Sequence, residues 1–347
     1  MLDQYLEFFR TEVGPYLRCR DSKPLRQQWR EARELWARYH CFPYHYLKHR
    51  LYERSAGADY IDYLPARLMQ RFRRDHNPRD RVRMLNDKRE TTRIVGGAGV
   101  RCVETLFSID ADGTLRDGDA STVTAGAAVD ALRVRGGSLF VKPIDARAGI
   151  GAFSILASEV DETWFGSRRN VVLQPVLRNH PLVESVYPGA LNTLRVATFI
   201  EDGRCTLIAA CHRFGRGTAI IDNYSQGGIA IGVELGSGRL NRAGLTKGEY
   251  GRGSFAVHPD TGVTFASVTL PMWQETLELA RRAALSLQPH VTLGLDIAIT
   301  PEGPVFIEAN EAADIFFLQE ACGPLGATVL GRSVLAHWRR IRGRPAS

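Results

Sequence analysis

Two acids and an amide interrupt apolar runs late in the chain, in "GLDIAITPEGPVFIEANEAAD", at Asp296, Glu308 and Asn310. The runs "LGLDIAI" and "PVFIEAN" have the texture of strands, and "TPEG" supplies a turn between them. Pro301 suits the second position of a type I turn and Gly303 the left-handed residue after it. A three-residue loop with a bulge is therefore expected, pairing Thr300 with Pro304. Counted outward, Asp296 then lies opposite Glu308, and Asn310 shares their face. Facing carboxylates repel unless something positive lies between them. Oxygen-only donors of this kind suit a hard divalent ion such as Mg²⁺, which also takes water and phosphate oxygens. The rival reading is three solvated residues on the wet face of an antiparallel hairpin. The crowding of acids in "IEANEAAD" favours the ion.

A second stretch, "FVKPIDARAGIGAFSIL", reads as strand, Gly-bearing turn, strand. Gly149 and Gly151 would let backbone N–H groups approach a phosphate, and Lys142 would add a point charge. The pattern is neither GxxxxGK[ST] nor a GxGxxG that opens a helix after a strand, so P-loop and dinucleotide folds lose support. An ordinary hairpin turn explains the spacing as well. Lysine is scarce, five of 45 basic residues, which draws notice to Lys142 and to Lys88 in "LNDKRETT". Taken alone, Lys88 reads as a solvated residue near a helix start.

Polar residues also gather in "GALNTLRVATFIEDGRCTLIAACHRFGRGTAIIDNYSQGG", where Asn192, Arg195, Arg213, Asp222 and Asn223 flank apolar strands. If Asp202-Gly203 is a two-residue turn, Arg195 and Arg213 fall on opposite faces. If Glu201-Asp202-Gly203 is a bulged loop, they share one, which would suit an anionic substrate.

These groups need a scaffold, and 347 residues with 44% hydrophobic content can build one of two or three lobes. The first 80 or so residues read as a helical, basic region, and strand signals begin near residue 98. A helix is expected over 271–288, with Pro271 near its start and Met272, Leu279 and Ala283 among the buried positions. The expected class is α+β, divided as 1–80 helical, 81–175 a first lobe, and 176–347 a second lobe with the metal and substrate groups. The net charge of +7 is local: residues 1–93 carry 21 Lys+Arg against 13 Asp+Glu, and the remainder is slightly acidic. Within the basic block, "PLRQQWREARELWARYHCFPYHYLKHRLYERS" has helical apolar spacing and reads first as a solvated helical face. An acidic partner there stays open. The six cysteines form no metal-ligand or disulfide spacing. No membrane span or signal peptide is evident, so a cytoplasmic protein is expected.

In this order, "LNDK", "FVKP…GIG", "VLQPVL", "NTLRVATFI", "RFGRG", "DNYSQGG" and the opening stretch resemble the sugar-transfer-associated ATP-grasp family, relatives of α-L-glutamate ligases. The resemblance runs from about 84 to 325. It implies two α+β lobes whose antiparallel sheets clamp ATP. Lys88 and Lys142 would contact the ATP phosphates, and residues 145–152, with Gly149 and Gly151, would form a phosphate lid. Gln174, Pro175, Val176 and Leu177 would line the adenine, and Glu184 would hold the ribose. Asp296, Glu308 and Asn310 would ligate Mg²⁺. Arg195 and Arg213 would meet the substrate carboxylate or the transferred phosphoryl group, and Asn192, Asp222, Asn223, Gly227 and Gly228 would complete the substrate side. Many such ligases begin with a βαβ domain, which the helical start here does not match.

The implied activity is an ATP- and Mg²⁺-dependent ligase, ADP-forming and of the carboxylate-amine type. It would join a small-molecule, peptide or sugar-linked carboxylate to a nucleophile. A kinase that stops at phosphoryl transfer is the rival enzyme. A noncatalytic basic module binding nucleic acid or another acidic polymer is the rival from a different class, though no nucleic-acid motif is present.

Overall fold

A computed structural model describes Leu6 and residues 8–145, 150–250 and 253–343, and of Arg83 the backbone alone. Two antiparallel sheets face a common cleft. The smaller contains β1 (Phe107–Ile109), β2 (Leu115–Asp117), β3 (Ser138–Pro143), β4 (Phe153–Leu156) and β5 (Val171–Pro175), in the order β2-β1-β5-β3-β4. The larger contains β6 (Thr193–Glu201), β7 (Arg204–Phe214), β8 (Ile229–Val233), β9 (Gly244–Leu245), β10 (Ser254–Phe255), β11 (Thr292–Thr300) and β12 (Gly303–Asn310), in the order β10-β9-β8-β7-β6-β11-β12. The α+β class expected from the sequence is the one observed.

The helices that cover these sheets are α1 (Leu25–Tyr39), α2 (Ala66–His76), α3 (Arg79–Asn86), α4 (Lys88–Gly97), α5 (Ala125–Arg135), α6 (Trp273–Ser286), α7 (Ile315–Cys322) and α8 (Val329–Arg342). α5 seals the small sheet, packing Ala128, Val129 and Leu132 against Leu139, Val141 and Leu173. α6 covers one face of the large sheet, where Leu277, Ala280 and Ala284 meet Leu194, Val196 and Leu295. It starts later than expected: Met272 sits at its N-cap in a left-handed conformation (φ 49°), half-buried, while Leu279 and Ala283 are buried. The opposite face packs Ala197, Phe199 and Cys211 against residues of α1, α2, α7 and α8. Coverage on both faces explains why β11 is buried at every position. It also removes the wet-hairpin reading, since Asp296 is only 3% exposed.

Hydrogen bonds fasten the amino-terminal helices to this body. Gln319 accepts from Leu64 N (2.8 Å) and donates to Leu64 O (3.1 Å), and Asn77 Oδ1 accepts from Val291 N at 2.9 Å. Among the described residues no helix is long and apolar enough to cross a membrane.

The apolar spacing of α1 does not map onto its buried side. The helix buries Gln28, Glu31, Leu35 and Tyr39, and leaves Leu25, Trp29 and Trp36 exposed. Glu31 tolerates burial because Lys23 Nζ donates to it at 3.0 Å and Tyr46 Oη at 2.7 Å. Removing the charge strands a buried lysine, so Glu31→Gln should lose about 3 kcal/mol of unfolding free energy in urea at neutral pH. Burial would raise the Glu31 carboxyl, but its bonds from Tyr46, Gln27 and Lys23 hold it below the usual range. A depressed carboxyl stabilises above its unfolded value of about 4.3 and loses that contribution as pH falls through the lower folded value. The gap between wild type and Glu31→Gln should therefore shrink in acid; a gap constant with pH would refute the pairing.

Candidate active site

Two bulges bring the polar groups together. In the β11–β12 hairpin Thr300 pairs with Gly303, so the turn is Pro301-Glu302, one residue tighter than expected. The register then shifts beyond Ile297, where the pairing steps from Phe306 to Glu308 and passes over Ile307. That extra residue cancels the tighter turn. Asp296 faces Glu308, and Gly294 faces Asn310.

The β6–β7 hairpin repeats the device. Glu201 pairs with Arg204 around Asp202 (φ 49°) and Gly203 (φ 72°), the twin left-handed residues of a type I′ turn. That turn alone would put Arg195 and Arg213 on opposite faces. A register shift between Ala197 and Thr198 passes over Ile208 and aligns Arg195 with Cys211, so Arg213 returns to the face of Arg195. Arg195 in turn lies opposite Asp296 on the neighbouring strand. Glu308, Asp296 and Arg195 form one row across three strands.

The repulsion inferred from the sequence is answered first by guanidinium groups. Arg195 Nε donates to Asp296 Oδ1 and Arg195 Nη2 to Oδ2 at 3.0 Å. Arg213 Nη2 donates to Asp296 Oδ2 at 3.0 Å and to Thr193 Oγ1. Asp222 Oδ2 accepts from both the N–H and the hydroxyl of Thr193 at 2.6 Å and lies 3.6 Å from Arg213 Nε. Burial would raise the Asp296 carboxyl, but Arg195 and Arg213 outweigh it and hold it at about 2. For Asp222 burial prevails over Arg213 and pushes the carboxyl up.

The oxygens fit a hard divalent ion. A carboxylate offers about four acceptor sites, and three donated bonds leave one on Asp296. Glu308 Oε1 accepts from Asn310 Nδ2 at 3.2 Å and has sites to spare. Among the described residues no three of His, Cys, Asp or Glu cluster as a metal site. Two acids and an amide would thus need phosphate or water oxygens to complete the shell.

Asp296, Glu308 and Arg213 border a cleft of about 450 Å³ between the sheets, which Lys88, Lys142, Gln174, Leu177 and Glu184 also help to line. Lys142 projects from β3; burial lowers its ammonium to about 8, with Glu308 opposing and Lys88 adding to the fall. Lys88 opens α4, capped by Asp87, and its Nζ donates to Ile144 O at 3.1 Å.

A family model described as sugar-transfer associated ATP-grasp matches residues 67–326. The chain belongs to that family. Solved structures with a similar fold include the ATP-grasp ligase PsnB complexed with a minimal precursor, at 13% identity and TM-score 0.44, covering 76% of this chain and 64% of that one. D-alanyl-alanine synthetase A from Vibrio cholerae is similar at 12% identity and TM-score 0.44, covering 74% and 65%. D-cycloserine synthetase DcsG is similar at 16% identity and TM-score 0.44, covering 80% and 78%. The match thus spans less than two thirds of PsnB and of the synthetase. No curated protein matches the chain in sequence.

In this ATP-grasp fold the remaining sequence candidates divide. Pro175 and Val176 line the cleft beside Gln174, and Asp222 and Asn223 line its far wall with Arg213. Gly149 lies outside the described residues; Gly151 (φ 76°) is within them, and Ile150, Ala152 and Ser154 around it border the cleft. Asn192 behaves differently: it is fully buried, its Nδ2 donates to Tyr187 O and Ala190 O, and its Oδ1 accepts from Gly215 N. It ties the approach to β6 to the end of β7 instead of facing the cleft. Gly227 (φ 95°) and Gly228 shape the loop after Asn223, where a Cβ on Gly228 would sit 2.5 Å from Asp222 O.

Two contributors escaped the sequence reading. Thr193 holds Asp222 by two bonds, and its signal was available: two residues before Arg195, it shares that residue's face of β6. Asn179 donates to Ala190 O and accepts from Asn192 N, fixing the loop that leads into β6. No local pattern marked it.

Proposed function

We propose that this protein is an ATP- and Mg²⁺-dependent ligase that activates a carboxylate as an acyl phosphate and passes the acyl group to an amine or other nucleophile. The observation that carries the reading is that Glu308, Asp296 and Arg213 line the same cleft as Lys88 and Lys142, with Arg195 bonded to Asp296 from the neighbouring strand. Asp296, Glu308 and Asn310 are the residues that would hold Mg²⁺, which supplies charge neutralisation at phosphate oxygens when bound. Gln174 to Leu177 would receive the adenine, Glu184 the ribose, and Lys88 and Lys142 the phosphates.

In the first step a carboxylate oxygen of the substrate forms a bond to the γ-phosphorus, and the bond to the bridging oxygen of ADP breaks. Arg213, with Arg195 behind it, would neutralise the charge that develops. In the second step the nucleophile attacks the acyl carbon, inorganic phosphate leaves, and the nucleophile gives up a proton. Closure of the segment around Gly151 would exclude water from the acyl phosphate. A dependence on ATP makes the cytoplasm the site of reaction under this reading.

Calorimetric titration of ATP, with and without Mg²⁺, tests the nucleotide site, and assays of ADP and free phosphate across candidate carboxylates and amines test the reaction. ADP accompanied by a phosphorylated product and no free phosphate would turn the reading to a kinase. A folded protein that binds no ATP under any condition would refute it.

Lys142→Ala should weaken ATP binding about tenfold or more, the scale of one lost charge-assisted contact. The protonated lysine is the form that favours phosphate, and its value of about 8 puts the change within reach. Affinity should hold below that pH and fall above it, and Lys142→Arg should flatten the fall. Unchanged affinity in Lys142→Ala would remove Lys142 from the site.

A further inference from the structure

The exposed side of α1 is apolar where a solvated helix is polar. At 100° per residue Leu25, Trp29, Ala32 and Trp36 fall in one stripe, bordered on one side by Arg26 and Arg33. Leu25, Trp29 and Trp36 are 73%, 69% and 53% exposed, and Leu17 and Phe42 on the flanking segments are similarly open. Among the described residues, seven of the 15 exposed large hydrophobics precede residue 43, so this excess is local.

We propose that this face lies flat on a lipid bilayer whose headgroups are anionic. Three observations favour that occupant. Side chains that are more than half exposed protrude, and the stripe borders none of the clefts described above; a projecting apolar surface suits a soft planar partner. The residue types are those of an interfacial helix, with indole and Leu to enter the headgroup boundary and guanidinium to meet lipid phosphate. Arg33 already lies over the Trp29 ring at 5.8 Å, so charge and indole act as one unit.

The charge distribution agrees. Glu31 is turned inward and held by Lys23, Tyr46 and Gln27. Glu34, on the far side of the helix, accepts from Tyr60 Oη and lies 3.9 Å from Arg30 Nε. The border of the stripe therefore presents arginine. No described helix can span a bilayer, so the contact would be peripheral.

The test is flotation of the full chain with vesicles of phosphatidylcholine and phosphatidylglycerol at about three to one, against phosphatidylcholine alone. The expected result is flotation with the anionic vesicles at low salt and at least about tenfold weaker partition to neutral ones or at high salt. Trp29→Ala with Trp36→Ala should lower partition at least about tenfold, and Arg26→Glu with Arg33→Glu should abolish the preference for anionic lipid. Because these side chains are exposed, the variants should keep the wild-type thermal midpoint. Failure of the wild type to float, or equal flotation of the Trp29→Ala, Trp36→Ala variant, would overturn the proposal. So would a wild-type dimer that the same variant abolishes without any vesicle binding, which would assign the face to a second copy of the chain.

Discussion

Glu308→Gln is expected to lower ADP formation by at least about a thousandfold, the scale of losing a group that holds charge at a transferring phosphoryl, while thermal stability hardly changes. Glu308 is half-buried on β12, and the Asn310 amide that donates to it at 3.2 Å can donate equally to a glutamine oxygen. The substitution keeps shape and the hydrogen bond from Asn310 and removes the negative charge, which also supports the Lys142 ammonium. Coupled-enzyme detection of ADP, with calorimetric titration of ATP in the presence of Mg²⁺, measures both effects. Activity within tenfold of wild type would sink the assignment of Glu308 as a metal ligand. Asp296→Asn is the less clean experiment, because Asp296 also anchors Arg195 and Arg213. It should lose activity and stability together.

Arg213→Met should have the largest effect on stability, about 3 to 5 kcal/mol of unfolding free energy at neutral pH. Arg213 is the cation shared by Asp296, at 3.0 Å, and Asp222, at 3.6 Å. Without it two buried carboxylates face each other with Arg195 as the remaining cation on that face. Each would then be driven toward its protonated form. A carboxyl whose folded value is raised destabilises above that value, and the penalty fades as pH falls toward the unfolded value of about 3.9. Urea midpoints should therefore show the largest deficit at neutral pH and a smaller one near pH 4. Adding Asp222→Asn should recover part of the loss, since the pair is coupled. An Arg213→Met protein as stable as wild type would show that the cation is dispensable to the fold.

The bulges explain how the sequence could give one right pairing from a wrong turn. "TPEG" suggested a three-residue loop, and the chain instead made a two-residue turn and restored the count at Ile307. Alternation along a strand survives such compensation because two one-residue errors return each side chain to its face. In the β6–β7 hairpin the same event decided between two open geometries, and nothing near Ile208 signalled it. Bulges arise where sheet twist and neighbouring strands favour them, which is a property of the assembled sheet.

The partner of Asp296 was legible only in part. The sequence required a positive charge beside it and offered a divalent ion; the folded chain brings two guanidinium groups there from β6 and β7. Arg195 was already a named candidate, but its contact with Asp296 spans 101 residues and depends on strand order. Asn192 shows the reverse case. A polar residue at a strand entry resembles a ligand group, yet three backbone groups take up its amide.

By itself the sequence determined the α+β class, the family, and the shared face of Asp296, Glu308 and Asn310, because turn chemistry, alternation and motif order are local properties of the chain. Tertiary structure decided the register at the two bulges, the alignment of Arg195 and Arg213 on Asp296, and which side of α1 is buried. Those outcomes depend on which strands become neighbours and on which buried charges find partners, and neither is encoded within any single segment.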